Sequence, residues 1–445
     1  MKHFRKSLSA LLVTAAIAAG VALPATAAGS DYEPEPGTDD ITFYKYLEMD
    51  AGASVPGVTF EFELTAGDAV AQTTASSGKL PVYAGNDAAR VGKADSTDTR
   101  TVDEIIADAV GTATFAPTDS TTSGTVTKTE DATTKLVTIT TTTDADSKYA
   151  YKEVGIDLSD LTYNEPGVYR YILTEVNPGK ASITYDNTVK TLDVYVFDAS
   201  TTTEKKLEIT GCVMYNGRQT EAPNNSGTAD ANALDTKDNA FINSYLSYDL
   251  TVSKEVTGNQ GSRDEYFEFT VVLSGVTAGN VYTIDLNNAD ETFTANGNSA
   301  AGTNPKSVTT TSGDTITATL WLQSGQSFTI KGIDKGVAYT VTENIDTAKK
   351  EGYSVRAVVT GDTTDVTNSA ESTGVVSDTG LNADTTVKFT NNKEGVIPTG
   401  VLMSMTPVII IGVVVIAGVV FFAVRNAKRK ALEVAGTDAD DDSEE

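Results

Sequence analysis

The segment Ile41-Thr-Phe-Tyr-Lys-Tyr-Leu47 places a lysine in the middle of an apolar row. Successive side chains of a β-strand point to opposite faces, so Lys45 shares its face with the isoleucine, phenylalanine and leucine of this segment. The segment Leu250–Val256 repeats the arrangement around Lys254. A charged group in an apolar core is costly unless it is paired or neutralised. Both strands therefore predict a buried partner for their lysine.

Two glutamates occupy similar apolar rows further along the chain. In Tyr169–Glu175, two tyrosines and a leucine share a face with Glu175. In Val337–Glu343, two valines and a tyrosine share a face with Glu343. Both segments follow a glycine turn and end in Thr-Glu. In each strand a glutamate stands where a hydrophobic residue is expected.

An asparagine completes the pattern in each half of the chain. Asn243 lies between the two aromatic residues that share its face in Phe241–Tyr245. Asn391 follows a valine and a phenylalanine on its face of Val387–Asn391. The order Lys, Glu, Asn thus occurs twice, and each time the residues fall on the first, a late and the last strand of a repeat.

These three residue types permit one specific reaction. Desolvation lowers the pKa of a lysine and raises that of a glutamate, which favours a neutral amine beside a protonated carboxyl group. If Lys45, Glu175 and Asn243 meet, the amine attacks the Asn γ-carbon, the acid hydrogen-bonds the Asn carbonyl and shuttles protons, and ammonia leaves. The product is an isopeptide cross-link. The alternative is a buried Lys-Glu ion pair with a neighbouring asparagine. The second set predicts the same reaction: Lys254, Glu343 and Asn391.

Composition excludes several catalytic and metal sites. The only histidine is His3 and the only cysteine is Cys212, so we expect neither Ser-His-Asp or Cys-His catalysis nor a His- or Cys-based zinc site. We expect no cofactor and no enzymatic turnover. Cys212 cannot form an internal disulfide and is predicted to be a small buried hydrophobe. The formal net charge of −28 disfavours binding to nucleic acid.

Alternation of Thr, Val and Tyr, broken by Gly, Asn and Asp, predicts an all-β fold. We predict two tandem immunoglobulin-like β-sandwich domains, residues 38–246 and 247–394. The first carries an insertion at about residues 86–146 that is rich in Thr, Ser, Asp and Ala. This insertion is predicted to contain mobile loops and a strand near Lys135–Thr141.

One helix is predicted within the insertion. Val102–Val110 follows Thr101, and Thr101 with Glu104 makes a capping box. Gly111 stands where a helix stop is expected.

Both ends of the chain carry export and anchoring signals. Residues 1–27 combine basic residues, an apolar stretch and a small-residue cleavage site, as in a signal peptide. Residues 401–424 form an apolar run of membrane-spanning length, and the cations that open the tail at 425–445 predict a cytoplasmic end. The chain between these segments is then predicted to lie outside the cell.

The pentapeptide Val396-Ile-Pro-Thr-Gly400 directly precedes that span. Pro398, Thr399 and Gly400, with the span and the basic end, resemble the sorting signal of Gram-positive surface proteins. The Leu-Pro pair of the usual form is absent, and the pattern is similar to the variant used by pilin-polymerising sortases. The resemblance implies that a sortase attacks the Thr399 carbonyl, expels Gly400 onward and passes the acyl group to an amine. It also implies anchoring to peptidoglycan in the cell wall.

A wider resemblance is to the two-domain major pilins of Gram-positive bacteria, which carry streptococcal pilin isopeptide linkage domains. It implies the two Lys-Asn cross-links above, with the glutamates assisting. It also implies that a lysine before the closing strand of the first domain joins subunits, and Lys237 matches by position, with Lys180, Lys190 and Lys393 as competitors. The implied partners are a sortase, other copies of this chain in a head-to-tail polymer, and accessory pilins. The stretches that carry it are Ile41–Leu47, Gly167–Glu175, Phe241–Tyr245, Leu250–Gly258, Val337–Glu343 and Phe389–Gly400.

Two other functions stay open on the sequence. A wall-anchored adhesin or accessory pilin would bind a host ligand through the insertion and would need no acceptor lysine. A secreted hydrolase with paired carboxylates is disfavoured, because the two glutamates fall in separate domains and the acidic residues of the insertion are scattered.

Overall fold

The structure is a computed structural model of the chain. The predicted signal peptide (1–27) and pentapeptide (396–400) lie outside the residues that it describes, as do most of the predicted span and the tail beyond Arg425. The described residues are 35–36, 41–71, 80–132, 136–200, 207–223, 236–294, 301–310, 312–343, 352–363, 366, 374–395, 419–421 and 423–425.

The first part of the chain contains most of the strands and one helix. Their bounds are β1 (Glu35–Pro36), β2 (Ile41–Asp50), β3 (Val58–Phe60), β4 (Phe62–Ala66), β5 (Val82–Ala84), β6 (Val91–Lys93), α1 (Val102–Asp108), β7 (Ala113–Phe115), β8 (Thr122–Ser123), β9 (Thr125–Glu130), β10 (Val137–Thr142), β11 (Ser147–Ile156), β12 (Leu161–Tyr163), β13 (Gly167–Glu175), β14 (Ile183–Thr184), β15 (Lys190–Asp198), β16 (Leu207–Asn216) and β17 (Ala240–Tyr245).

The later part is built from strands alone among the described residues up to 395. Their bounds are β18 (Ser247–Thr257), β19 (Phe267–Ser274), β20 (Val281–Asp285), β21 (Thr292–Phe293), β22 (Gly302–Thr303), β23 (Ser307–Thr309), β24 (Thr315–Leu322), β25 (Ser327–Asp334), β26 (Ala338–Glu343), β27 (Ser354–Thr360), β28 (Val375–Asp378) and β29 (Thr385–Asn392).

Strand β2 is central to the first pair of sheets. It lies in a five-stranded sheet of order β14-β17-β2-β11-β8, antiparallel to β11 and parallel to β17. A second sheet has the order β16-β15-β13-β4, with β5 added parallel to β13. Every second residue of β2 from Ile41 to Met49 is buried. The apolar row that includes Lys45 therefore faces inward as predicted.

The second pair of sheets has a similar arrangement. A six-stranded sheet has the order β23-β20-β25-β18-β29-β27, and a four-stranded sheet has the order β24-β19-β26-β28. The first and last strands of this region, β18 and β29, are hydrogen-bonded neighbours. Alternate residues of both strands are buried, and these include Lys254 and Asn391.

Each pair of sheets encloses its own hydrophobic core. One core draws on residues between Ile41 and Tyr245, and the other on residues between Leu250 and Phe389. Phe43 of β2 packs edge-on against Phe62 of β4, with the ring centroids 4.8 Å apart. A second Phe-Phe contact joins β19 to β29. These contacts bridge the two sheets of each pair, so the prediction of an all-β fold with tandem sandwiches is confirmed.

The predicted helix is present and is shorter than expected. α1 starts after Thr101, whose side chain accepts from the Glu104 amide while the Glu104 carboxylate accepts from the Thr101 amide. The helix ends at Asp108 because Val110 already forms a β-bridge with Ile156. The glycine predicted as the stop lies beyond that bridge.

The insertion also contains an antiparallel hairpin. Strands β9 and β10 pair from Thr125 to Thr142, and β10 covers nearly the stretch predicted to be a strand. The hairpin is more regular than the loop-rich segment that the composition suggests.

By internal contacts the chain divides into two compact units. The first comprises Met1–Val256 and Arg263–Asn391, and both cores belong to it. The second comprises Thr257–Ser262 and Asn392–Glu445. In the part of the chain that the structure describes, no helix has the length and apolarity needed to cross a bilayer.

Within the first unit, a buried carboxylate joins the two sandwiches. Asp334 accepts hydrogen bonds from the hydroxyl of Tyr245 at the end of β17 and from Tyr282 and Asn280 of the second sandwich. Burial, reinforced by this carboxylate, raises the pKa of Tyr245 well above its ordinary value. Gly332, at a φ of +64°, permits the approach, since a Cβ there would meet the backbone of the first sandwich at 2.6 Å.

We expect the substitution Tyr245→Phe to weaken the hydrogen bonding of Asp334 between the two sandwiches. It removes a donor from a buried carboxylate, which costs about 1.5–3 kcal/mol. Urea unfolding should show a loss of that size, and Tyr46→Phe, on the outer face of β2, serves as the matched control. Equal stability of the two variants would contradict the assigned role of the Asp334 cluster.

Candidate cross-linking sites

The fold brings the first predicted triad together from three strands. β17 runs parallel to β2, with Phe241 opposite Lys45 and Asn243 opposite Leu47. Glu175 ends β13 in the facing sheet. The period-two alternation of each strand turns the lysine, glutamate and asparagine into the same core.

The carboxyl group of Glu175 is within hydrogen-bonding distance of both the Lys45 amine and the Asn243 amide. Lys45 Nζ lies 2.6 Å from Glu175 Oε2, and both side chains are fully buried. Asn243 Nδ2 donates to Glu175 Oε1 at 2.5 Å. The carboxyl group therefore bridges the amine and the amide.

Burial controls the protonation of the pair. Desolvation lowers the pKa of Lys45 to about 8, although Glu175 acts in the opposite direction. Desolvation likewise raises the pKa of Glu175, against the effects of Lys45 and Asn243. Phe60 covers the ammonium group, with its ring centroid 4.7 Å from Nζ. Both shifts favour proton transfer from the lysine to the glutamate, which leaves a neutral amine beside a carboxylic acid.

The orientation of the amide differs from the prediction. The backbone N–H of Asp186 donates to Asn243 Oδ1 at 2.7 Å. Because a backbone N–H can only donate, this contact fixes the oxygen away from Glu175. Glu175 therefore faces the amide nitrogen that would leave as ammonia, and a main-chain amide takes the place of the acid at the carbonyl oxygen.

The second triad has nearly the same geometry. Lys254 Nζ lies 2.8 Å from Glu343 Oε1, and Asn391 Nδ2 donates to the same oxygen at 2.6 Å. All three side chains are buried. Desolvation lowers the pKa of Lys254 to about 8, and the ring of Phe267 lies 4.3 Å from its Nζ.

The amide oxygen distinguishes the two sites. Asn391 Oδ1 and Glu343 Oε2 are buried and have no hydrogen-bond partner among the described residues. In the first site the corresponding Asn243 oxygen accepts from a backbone amide. In both arrangements a buried carboxyl group contacts an amine and an amide, so both contain the groups needed to form a Lys-Asn isopeptide bond.

A third buried lysine was missed by the sequence reasoning. Lys190 Nζ lies 2.7 Å from Asp238 Oδ2, and Lys128 Nζ of β9 lies 2.8 Å from the same atom. Lys190 is fully buried, and desolvation lowers its pKa to about 8. The signal was present, because Lys190 shares a strand face with Leu192 and Val194. Its burial removes Lys190 from the lysines available to another subunit.

Of Lys237 and the predicted sortase residues, the structure describes only Lys237. Lys237 is half-buried, and its backbone forms β-bridges with Leu136 and Tyr215. Pro398, Thr399 and Gly400 lie outside the described residues. Their roles stay predictions.

Cys212 is half-buried rather than fully buried, and it packs against the first core. Desolvation raises the pKa of its thiol to about 11. A thiol with a raised pKa is a poor nucleophile at neutral pH, as the prediction of a packing role requires.

Two family models match the chain. Residues 114–246 match the Spy0128-like isopeptide containing domain, and this stretch includes Glu175 and Asn243. Residues 248–393 match a domain of unknown function, and this stretch includes the whole second triad.

One curated relative and several solved structures are similar to this chain. The curated pilin of Streptococcus pyogenes serotype M1 is 29% identical over 274 residues, which covers 61% of this chain and 71% of that protein. The solved major pilin from Streptococcus pyogenes is 21% identical and covers 80% of this chain and 99% of that chain, with a TM-score of 0.46. The T-13 major pilin protein of the same species is 17% identical and covers 81% and 99%, with a TM-score of 0.42.

We expect Asn243→Ala to change the denatured state of the protein. A Lys45-Asn243 bond closes a loop of roughly 200 residues, which constrains the unfolded chain and, in the loop-entropy model, is worth about 5 kcal/mol. Denatured wild-type protein should therefore run faster on a denaturing gel than the variant, and the variant should unfold more readily. Lys190→Met, which removes an equally buried lysine, should keep the fast mobility. Identical mobility of wild type and Asn243→Ala would leave only a buried ion pair.

Proposed function

We propose that this chain is a major pilin of Gram-positive bacteria and that it forms the shaft of a sortase-assembled pilus whose sandwiches each close with a Lys-Asn isopeptide bond. As a pilin it is an extracellular, surface-displayed structural subunit rather than a turnover enzyme. The observation that carries the proposal is the twofold occurrence of a fully buried lysine, glutamate and asparagine within hydrogen-bonding distance.

The proposed reaction uses only the side chains of each triad. Lys45 passes a proton to Glu175, and its neutral Nζ attacks Cγ of Asn243. The Cγ–Nδ2 bond then breaks, and Glu175, which already contacts Nδ2, delivers the proton with which ammonia departs. Glu175 then takes the second proton that Nζ loses on becoming an amide nitrogen. Fixed proximity lowers the barrier, and the dry core disfavours reversal by water. Lys254, Glu343 and Asn391 react in the same way.

The positions of the bonds suit a load-bearing fibre. Each bond joins neighbouring first and last strands, β2 to β17 and β18 to β29. Force applied between the ends of a sandwich then acts on a covalent bond instead of a hydrogen-bonded ladder. A chain with a single cysteine has no internal disulfide to do this. We assign the domains to residues 38–246 and 247–394, a division supported by the two separate cores.

Polymerisation is assigned to the C-terminal signal. In this scheme a sortase cleaves between Thr399 and Gly400 and transfers Thr399 to Lys237 of the next copy, with Pro398 holding the substrate extended. The last subunit is passed to peptidoglycan, and accessory pilins join by the same chemistry. Two observations support the choice of Lys237: it is half-buried, and it lies just before the closing strand β17.

The intact mass of the folded ectodomain tests the cross-links directly. We expect the protein to be lighter than its sequence by two ammonia molecules, because each bond releases one. Glu175→Gln and Glu343→Gln should each restore one ammonia, since an amide cannot shuttle the proton. A full-mass wild-type protein would refute both bonds.

A separate experiment tests the shaft assignment. Co-expression with the cognate sortase should give a ladder of covalent polymers, and Lys237→Arg should abolish it, because the guanidinium keeps the charge but is not a nucleophile at neutral pH. Lys180→Arg is the matched control and should leave the ladder intact. A single anchored species in the wild type would indicate an adhesin or accessory pilin instead.

A further inference from the structure

The amide oxygen of Asn243 receives a main-chain hydrogen bond aimed at the reacting group. The donor is the N–H of Asp186, in the loop between β14 and β15, at 2.7 Å. During attack on Cγ, negative charge develops on this oxygen. Donors that already point at such an oxygen in a dry site stabilise the transition state without reorganisation.

The side chain of Asp186 holds its own backbone in place. Its Oδ1 accepts from the amide and hydroxyl of Thr188 at 3.0 and 2.6 Å, and its Oδ2 accepts from the amide of Ile242 at 3.0 Å. Although burial opposes it, Lys128 together with these hydrogen bonds lowers the pKa of Asp186. The loop is thereby fixed to β17 one residue before the asparagine that reacts.

The remaining contact comes from the inserted hairpin. Lys128 of β9 places its ammonium group 3.4 Å from Asp186 Oδ2 and 2.8 Å from Asp238 Oδ2, and donates to the carbonyl of Ala240 at 2.6 Å. One cation thus binds the loop that carries the N–H and the start of the strand that carries the amide. The side chain of Lys128 is 24% exposed, so its removal does not open the core.

We propose that the backbone N–H of Asp186 is the oxyanion donor for the Lys45-Asn243 reaction and that Lys128, from the insertion, is the positioning residue that holds it there. The inference rests on the proposed cross-linking function. It gives the insertion a role in forming the covalent bond of the first sandwich.

As the Nζ–Cγ bond forms, the carbonyl π electrons move onto Oδ1, where the Asp186 N–H already donates. They return as the Cγ–Nδ2 bond breaks, and the nitrogen leaves as ammonia with the proton that Glu175 took from Lys45. Nζ gives up a second proton to Glu175 as it becomes an amide nitrogen, so the carboxyl group ends protonated. No oxidant, metal or further reactant is needed.

The second sandwich supplies an internal reference. Its amide oxygen, Asn391 Oδ1, has no hydrogen-bond partner among the described residues, and Lys128 contacts neither Lys254 nor Glu343 in the contacts described for it. Removing an oxyanion donor slows reactions by about 10² to 10³. Displacing one by loss of its support should cost less, so we expect a slowing of about tenfold.

The test follows both bonds in newly made full-length ectodomain. Isotope-pulsed protein is sampled over time, and peptide mapping measures the Lys45-Asn243 and Lys254-Asn391 cross-linked peptides in the same molecules. Lys128→Met should slow the first bond about tenfold and leave the second unchanged. Lys128→Arg, which keeps the cation, should restore the rate. Lys152→Met removes a comparable ion pair of the same sandwich with Asp119 and should have no effect on either bond.

The outcomes separate the two proposals. If wild-type protein loses no ammonia, the cross-linking function itself fails. If wild type forms both bonds and Lys128→Met forms them at the same ratio, only the role of Lys128 and Asp186 fails. Asp186→Asn provides a second variant, because it keeps an acceptor for Thr188 and loses the charge that Lys128 binds. It should slow the first bond selectively, and an unchanged rate would overturn the assignment.

Discussion

The structure depends on the burial of an ammonium group in each hydrophobic core. Moving a charge from water into a protein interior costs several kcal/mol, and a single ion pair recovers this only with good geometry. Lys45 and Lys254 each meet one glutamate and one neutral amide, so the charge can disappear by proton transfer inside the pair. The reactive state has the same total number of protons as the ion pair. In the proposed reaction an amide bond removes this cost altogether, which would account for such costly residues at the centres of two sandwiches.

The chemistry of the buried partner distinguishes Lys190 from the lysines that are proposed to react. Lys190 is as deeply buried as Lys45 and carries the same lowered pKa. Its partner, Asp238, lies between two ammonium groups, those of Lys190 and Lys128. The side chain of Asp238 accepts from both ammonium groups, but it has no amide nitrogen that an attacking amine could displace. This cluster is therefore expected to remain an ion-pair network that anchors the hairpin, whereas an amide beside a single lysine can react.

The sequence predicted the parts of the site that depend on strand periodicity. Lys45, Glu175 and Asn243 were identified because alternate residues of a strand share a face, and the second triad followed by repetition. The contacts of Asp186 and Lys128 could not be found this way, since a loop and an inserted hairpin reach β17 only through the tertiary fold. The amide orientation was inferred wrongly for the same reason: the competing donor is a main-chain N–H, which no residue type reveals. The helix start followed from Thr101 and Glu104, but its end depended on a long-range bridge at Val110.

The parallel pairing of β2 with β17 links these observations. A parallel neighbour places Phe241 beside Lys45 and Asn243 two positions further along, so the lysine must reach diagonally along the face of the sheet to the amide on the adjacent strand. Glu175 enters from the opposite sheet and fills the gap between them. This geometry requires three strands, from both sheets, to be in register before any bond can form. The proposed cross-link can therefore form only in a correctly assembled sandwich. A slip of one residue in the register of β17 would turn each of its side chains to the opposite face. Asn243 would then face solvent, and the chain would stay unlinked.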